Sequence, residues 1–226
     1  MINFKNYFAE LLQSSGPILT SELFSPDHYE GLRQEILGVG LEHKRRRRVR
    51  LNEALTILFE SRATIWIQIH EELRWLSGDR EEEKAEILKA NNLISPCAKS
   101  PTATIFVDGY DPTLNRECAD ALSHNTLTID LISDGWTYSA VPIRDDAISK
   151  GLIHSRKFLR GERSKHENQI RVMGTKIAGL SPVSELSAPK QKVLASTSVS
   201  WSKQTLNCSP RVSLASERKQ GCFEFL

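Results

Sequence analysis

Five consecutive cations, Lys44 to Arg48, head the stretch from His43 to Leu76, and they restrict what the chain can fold into. Adjacent like charges repel, so each must reach solvent, a partner's anion or one of the chain's own carboxylates. On a helix or a strand only part of such a run can face one way. After it the pattern changes. Leu55, Ile57 and Phe59 alternate with Thr56, Leu58 and Glu60, which predicts a strand. A turn follows at Glu60-Ser61-Arg62. Ile65, Ile69, Leu73 and Leu76 then share one helical face, although Ile65, Ile67 and Ile69 also alternate. The length of the pattern, with Ser61 as a cap, favours a helix over 61–76.

The flanking chain has its own punctuation. Phe4, Phe8, Leu11 and Leu12 predict an N-terminal amphipathic helix within 1–18, ended by Gly16-Pro17. Ser25-Pro26-Asp27 combines a hydroxyl cap, Pro at the first helical position and an early acid, so a helix starts there and runs toward the cations. Asp79 to Asn91 reads as an exposed helix. Ala103, Ile105 and Val107 mark a strand, and Asp111-Pro112 opens a helix with Leu114, Cys118, Ala121 and Leu122 inward. Leu127, Ile129 and Leu131 form a strand, Asp134-Gly135 turns it, and Trp136, Tyr138 and Ala140 return. Ser149 to Arg160 reads as a last short helix anchored by Leu152, Ile153, Phe158 and Leu159. The expected fold is α+β: a small, mainly antiparallel sheet from segments near 50–60, 102–108, 126–133 and 136–142, with helices on one face.

Charge separates the body from the end of the chain. Residues 1–164 hold 21 Lys and Arg against 24 Asp and Glu, net −3, whereas residues 165–226 hold 9 against 4, net +5. A core domain over 19–164 and a poorly ordered tail over 165–226 are expected, because residues 181–226 hold ten serines and few bulky apolar residues. A domain that grips nucleic acid over a broad face is usually basic throughout. This body is slightly acidic. Cys97, Cys118, Cys208 and Cys222 show neither CxxC nor zinc spacing, which fits a reducing cytoplasm. No apolar run approaches a membrane span, and Lys5 and Glu10 interrupt the N-terminal apolar pattern, so no signal peptide is expected.

Several motifs together carry a resemblance. The segments KRRRRV (44–49), LTILFESRATIWIQIHEELR (55–74), ATIFVDGYDP (103–112) and GLIHSRKFLR (151–160) resemble, in order, those of an uncharacterised bacterial domain-of-unknown-function family, the one numbered three thousand five hundred and one. The resemblance covers about residues 19–160 and maps the family pattern onto Arg45, Arg46, Arg47, Phe59, Glu60, Arg62, Gln68, Glu71 and Arg74. His70 stands where relatives have a second Gln, Ser61 where they have Asn, and Ser155-Arg156-Lys157-Phe158 is more basic than usual. The family's genes often neighbour those of rubrerythrin and an iron–sulfur oxidoreductase. The resemblance therefore implies a link to redox or peroxide defence, with either protein as partner, and no known activity.

Candidate sites follow from the charges. Lys44, Arg45, Arg46, Arg47, Arg48 and Arg50 form a partner- or anion-binding patch, set against neutralisation by Glu71, Glu72, Asp79, Glu81, Glu82 and Glu83. No aromatic is interleaved with the run for base stacking. Glu60, Arg62, Gln68, Glu71 and Arg74 form a second set, read as a structural turn-and-cap network in which Glu60 and Arg62 flank the turn as a bidentate pair. Glu60, His70 and Glu71 are the candidates for a metal-dependent enzyme, but Gln-x-x-Glu is not the Glu-x-x-His spacing of a helical site. No cofactor motif, phosphate loop or nucleophile elbow is present. The function expected first is a non-enzymatic accessory or interaction protein. Nucleic-acid binding through 44–50 and a metal-dependent enzyme are the alternatives.

Overall fold

The computed structural model describes residues 4–14, 16–76, 80–96, 100–133, 135–143, 153–165, 169–174 and 176–186. Cys97, Cys208, Cys222, Asp79, Asp134, His166, residues 149–152 and the chain beyond Leu186 lie outside these.

Local signals place the helices. α1 (Phe4–Gln13) buries Phe4, Phe8 and Leu11. α2 (Pro26–Arg47) starts at Ser25, whose side chain accepts from His28 N, and runs through Gly38 and Gly40 into the arginines. Gly40 serves close packing: a Cβ there would lie 2.6 Å from Ile67 Cδ1. α3 (Arg62–Leu73) is capped reciprocally, Thr64 N donating to Ser61 Oγ and Ser61 N to Thr64 Oγ1. α4 (Glu81–Asn92) opens on three acids. α5 (Pro112–Ser123) begins at Asp111, which accepts from Thr113 N and Leu114 N.

The described residues form one antiparallel, curled sheet of eight strands. In chain order they are β1 (Arg48–Arg50), β2 (Leu55–Phe59), β3 (Thr102–Val107), β4 (Leu127–Ser133), β5 (Trp136–Pro142), β6 (Ile153–Arg163), β7 (Gln169–Gly174) and β8 (Val183–Glu185). Their spatial order is β1-β2-β3-β6-β5-β4-β7-β8. Alternate residues of β2 and β3 (Leu55, Ile57, Phe59, Ala103, Ile105, Val107) join Leu114, Cys118 and Leu122 of α5 in one core on one face. A second core gathers Phe4, Phe8, Tyr29 and Ile36 around Ile65, Trp66 and Ile69 of α3. No helix among the described residues is long and apolar enough to cross a membrane.

The α+β class stands, with several differences in detail. The segment near 50–60 is two strands joined by a hairpin, because Asn52 Oδ1 accepts from Ala54 N and Leu55 N and bends the chain. Helices pack on both faces rather than one. The helix expected over 149–160 is instead strand β6 from Ile153 onward: it pairs with β3 and β5, and its inward residues are His154, Arg156 and Phe158. Arg156 Nη2 donates to Leu122 O, supplying a partner at the C-terminal end of α5. Within the stretch expected to be loose, β7 pairs with β4 along six residue pairs and β8 pairs with β7. The sheet thus continues past residue 164.

Gly174 reports on that continuation. Its φ is +108°, and a Cβ would sit 2.0 Å from Thr126 O. Gly174→Ala is expected to lower stability by roughly 2 kcal/mol or more in urea unfolding. A loose segment at 169–174 would leave the midpoint unchanged.

Candidate functional site

The arginine run meets the fold where α2 becomes β1, and its members separate. Arg47 turns inward and is 5% exposed; Nε donates to Phe59 O at 2.7 Å and Nη2 to Glu60 O at 2.7 Å. Burial lowers its pKa to about 10, opposed by the nearby Glu60 carboxylate, and it stays cationic at neutral pH. Arg45 and Arg46 face solvent and share Glu42 of their own helix, at 2.8 and 3.1 Å. Arg50 turns back on its hairpin, donating to Asn52 O and Glu53 O. Among the described residues Lys44 and Arg48 have no carboxylate within ion-pair distance. The Arg48 guanidinium lies over the Phe106 ring, 5.5 Å from its centroid.

Among the described residues no ion pair joins the run to Glu71, Glu72, Glu81, Glu82 or Glu83. Glu71 pairs with Arg33, Glu81 with Lys84 and Glu83 with Arg80. Glu72 does approach the run, across a cleft. Sheet register builds the floor of that cleft, since Arg48 stands opposite Leu58, Leu58 opposite Thr104 and Thr104 opposite Ser155. Gln68 and Glu72 of α3 and Asn91 of α4 supply the far wall of a space of about 380 Å³. Glu60, 6% exposed, also lines it; Oε1 accepts from Thr104 Oγ1 at 2.6 Å and Oε2 from Thr64 Oγ1. Glu72 accepts from Gln68 Nε2 at 2.9 Å and Asn91 Nδ2 at 2.8 Å. On the other side of Arg48 a more open cleft of about 420 Å³ collects Arg45, Arg50, Thr56, Asp108 and the fully exposed Tyr110.

The expected polar network divides into three. Glu60 and Arg62 do not pair: Glu60 faces the cleft, while Arg62 holds Glu22, Ser14 Oγ and the carbonyls of Gly16 and Pro17. Glu71 takes a bidentate pair from Arg33 at 2.9 and 2.8 Å and the Tyr29 hydroxyl at 2.8 Å, and Arg74 bonds Glu30. The Arg33 bond outweighs partial burial and holds the Glu71 carboxyl below its usual range, while burial and Glu71 together push the Tyr29 phenol up. Gln68 pairs with Glu72, not Glu71. The set Glu60, His70 and Glu71 does not converge. His70 Nδ1 lies 2.9 Å from Trp66 O and Nε2 accepts from Phe24 N at 3.0 Å, so the neutral ring has no lone pair left for a metal. Among the described residues no three His, Cys, Asp or Glu side chains are placed to hold a metal.

Trp66 is buried in the core around α3, whereas Trp75 is 83% exposed. Cys118 packs in the core, as its helical position implies. Asn91, Thr104 and Tyr110 escaped the sequence reading. Thr104 is the outward residue between Ala103 and Ile105, which alternation shows, whereas Asn91 and Tyr110 carry no local signal because only tertiary packing brings them here.

Comparison with known proteins agrees with the motif reading. The family described as "Protein of unknown function (DUF3501)" matches residues 17–178, a span that takes in β7. A crystal structure of a novel protein of unknown function from Burkholderia pseudomallei K96243 is similar at a TM-score of 0.65 and 18% identity, covering 80% of this chain and 98% of that one. At that identity the likeness concerns the fold alone. No curated protein matches.

Two outcomes test this assignment of roles. Arg47→Ser leaves two buried carbonyls without their donor and is expected to cost about 3 kcal/mol, whereas Arg45→Ser stays within about 0.5 kcal/mol in the same denaturant titration. Burial also lowers the pKa of His70 and His43 from 6.5 to about 4, with Arg47, Arg46 and Lys44 adding to the effect at His43. The folded rings stay neutral while the unfolded chain takes up protons. Stability is therefore full above about pH 6.5 and falls toward pH 4, by about 3 kcal/mol per histidine. His70→Gln keeps a donor and an acceptor and is expected to remove about half of that slope, read from melts across the window.

Proposed function

The chain belongs to the DUF3501 family of proteins of unknown function, and we propose that it acts as a non-enzymatic accessory protein, binding a partner through the face of Arg45, Arg48 and Arg50. One observation carries the proposal: these three cations line one open cleft in which, among the described residues, Asp108 is the sole carboxylate. Arg45 has an exposed ion pair with Glu42, the kind that contributes little, and Arg48 has none among the described residues. Arg50 is held by its own hairpin carbonyls, so its charge is positioned without being cancelled. The cleft thus offers an acidic surface several preplaced guanidinium forks. The partner class proposed is rubrerythrin or an iron–sulfur oxidoreductase in a reducing cytoplasm, in keeping with the family's gene neighbourhood and the sparse cysteines.

A second reading, nucleic-acid binding, draws on Tyr110. Its exposed ring stands in the same cleft as the arginines and offers the stacking surface that the run itself lacks.

A pull-down from reducing lysate, with and without nuclease, compares the full chain with its Arg45→Ser, Arg48→Ser, Arg50→Ser variant; Arg47 is left in place because the fold uses it. The expected result is an iron–sulfur or rubrerythrin-like protein that survives nuclease and is lost in the variant. Equal capture by both proteins removes the proposed face. Recovery of nucleic acid alone, weakening steeply with salt, moves the function to the second reading.

A further inference from the structure

The enclosed cleft on the other side of Arg48 has a different character from the partner face. Its lining carries both signs of charge, Lys44 and Arg48 with Glu60 and Glu72, and among the described residues these four form no ion pair with one another. Lys44 and Arg48 stand at one wall with no carboxylate in ion-pair range among the described residues, although Glu60 and Glu72 line the same space. Three of the four charged groups have an anchor of their own. Arg48 lies over Phe106, Glu72 is fixed by Gln68 and Asn91, and Glu60 is fixed by the hydroxyls of Thr64 and Thr104. The amides that fix Glu72 are uncharged, so they orient that acid without cancelling it, whereas Glu60 also faces the charge of buried Arg47. Each carboxylate oxygen receives one of these bonds and keeps acceptor capacity for another donor.

We propose that this cleft binds a small zwitterion of the amino-acid class, its carboxylate taken by Lys44 and Arg48 and its amine by Glu72. Holding opposite charges apart in a narrow polar space leaves both to be satisfied by one molecule carrying the complementary pair. Preorganised groups bind such a molecule without first losing a bond to each other. The volume of about 380 Å³ lies at the small end of ligand pockets, suited to an amino acid rather than a large cofactor. Phe106 and Leu58 give the ligand's carbon skeleton an apolar floor. The inference goes beyond the partner face, because it rests on the acidic wall, which that face does not use.

The test titrates the full chain with individual L-α-amino acids and with the ω-amino acids from glycine to 6-aminohexanoate, first by thermal shift and then by calorimetry. Butyrate and butylamine are the single-charge controls. At least one zwitterion is expected to bind one per chain, at least about tenfold tighter than either control. Lys44→Gln and Glu72→Gln, on opposite walls, are each expected to weaken it about tenfold or more. If one variant fails to fold, the other carries the comparison. Absence of binding by any zwitterion up to about 10 mM, equal binding of butyrate, or wild-type affinity in a folded Glu72→Gln each overturns the proposal. Partner capture by Glu72→Gln is expected to be unchanged, which separates this site from the partner face.

Discussion

The buried fork of Arg47 is the constraint on which the junction of helix and sheet depends. A guanidinium is taken out of water at the end of α2, and the carbonyls of Phe59 and Glu60 receive it. Such a charge is tolerable only where its hydrogen bonds are made and a counter-charge is near. The Glu60 carboxylate is that counter-charge, and it is held in turn by Thr64 at the start of α3 and Thr104 in β3. One cation therefore links α2, β2, α3 and β3. It also decides where its neighbours point. With Arg47 inward, Arg45 and Arg46 fall to the solvent side. Arg48, the first strand residue, faces away from buried Val49 and into the clefts.

Polar groups with individual assignments recur through the helical layer. α3 is buried almost all round, so apolar contact alone would leave its rotation poorly specified. Arg62 secures the chain from Ser14 to Glu22 against it, Trp66 Nε1 donates to Glu22 O, and His70 takes Phe24 N. Each is a directional bond that a rotated helix would lose. A half-satisfied arrangement of this kind costs more than an apolar one, so the surrounding segments have one low-energy placement. The same reasoning underlies the acid sensitivity expected of the folded state, since a neutral ring that accepts from a backbone N–H loses that acceptor when protonated.

What was legible in the sequence follows the range of the forces involved. Helix starts at Ser25, Ser61 and Asp111 were readable because a cap acts within three residues. β2 was readable because Leu55, Ile57 and Phe59 are apolar on the buried side. β6 was not, because two of its inward positions are His154 and Arg156, which hide the alternation; Ile153 and Leu159, the residues that suggested an apolar face, are in fact exposed. β7 and β8 are short: β7 alternates only over Ile170 and Val172 and is set by pairing with β4, and β8 is set by pairing with β7. In the site the same division holds. The run showed that cations gather between 44 and 50, but only the register of β1, β2 and β3 shows that Arg48 and Thr104 share a surface. No spacing rule pairs Glu60 with Thr104, 44 positions away.

Charge segregation accounts for both faces of Arg48. Residues 1–164 are net negative, yet six of their 21 cations fall between Lys44 and Arg50, at one helix–strand junction. Exposed ion pairs elsewhere, such as Arg80–Glu83 and Lys84–Glu81, are local and cancel at short range. At the junction cancellation is incomplete, because Arg47 and Glu60 serve the fold and Glu72 is held by neutral donors. A body of one sign with a compact patch of the other directs an approaching anion to that patch while repelling it elsewhere. The patch then divides by shape. Where the surface is open, beside Tyr110, it suits a macromolecular partner. Where α3 and α4 close over it and add carboxylates, it suits a small molecule bearing both charges.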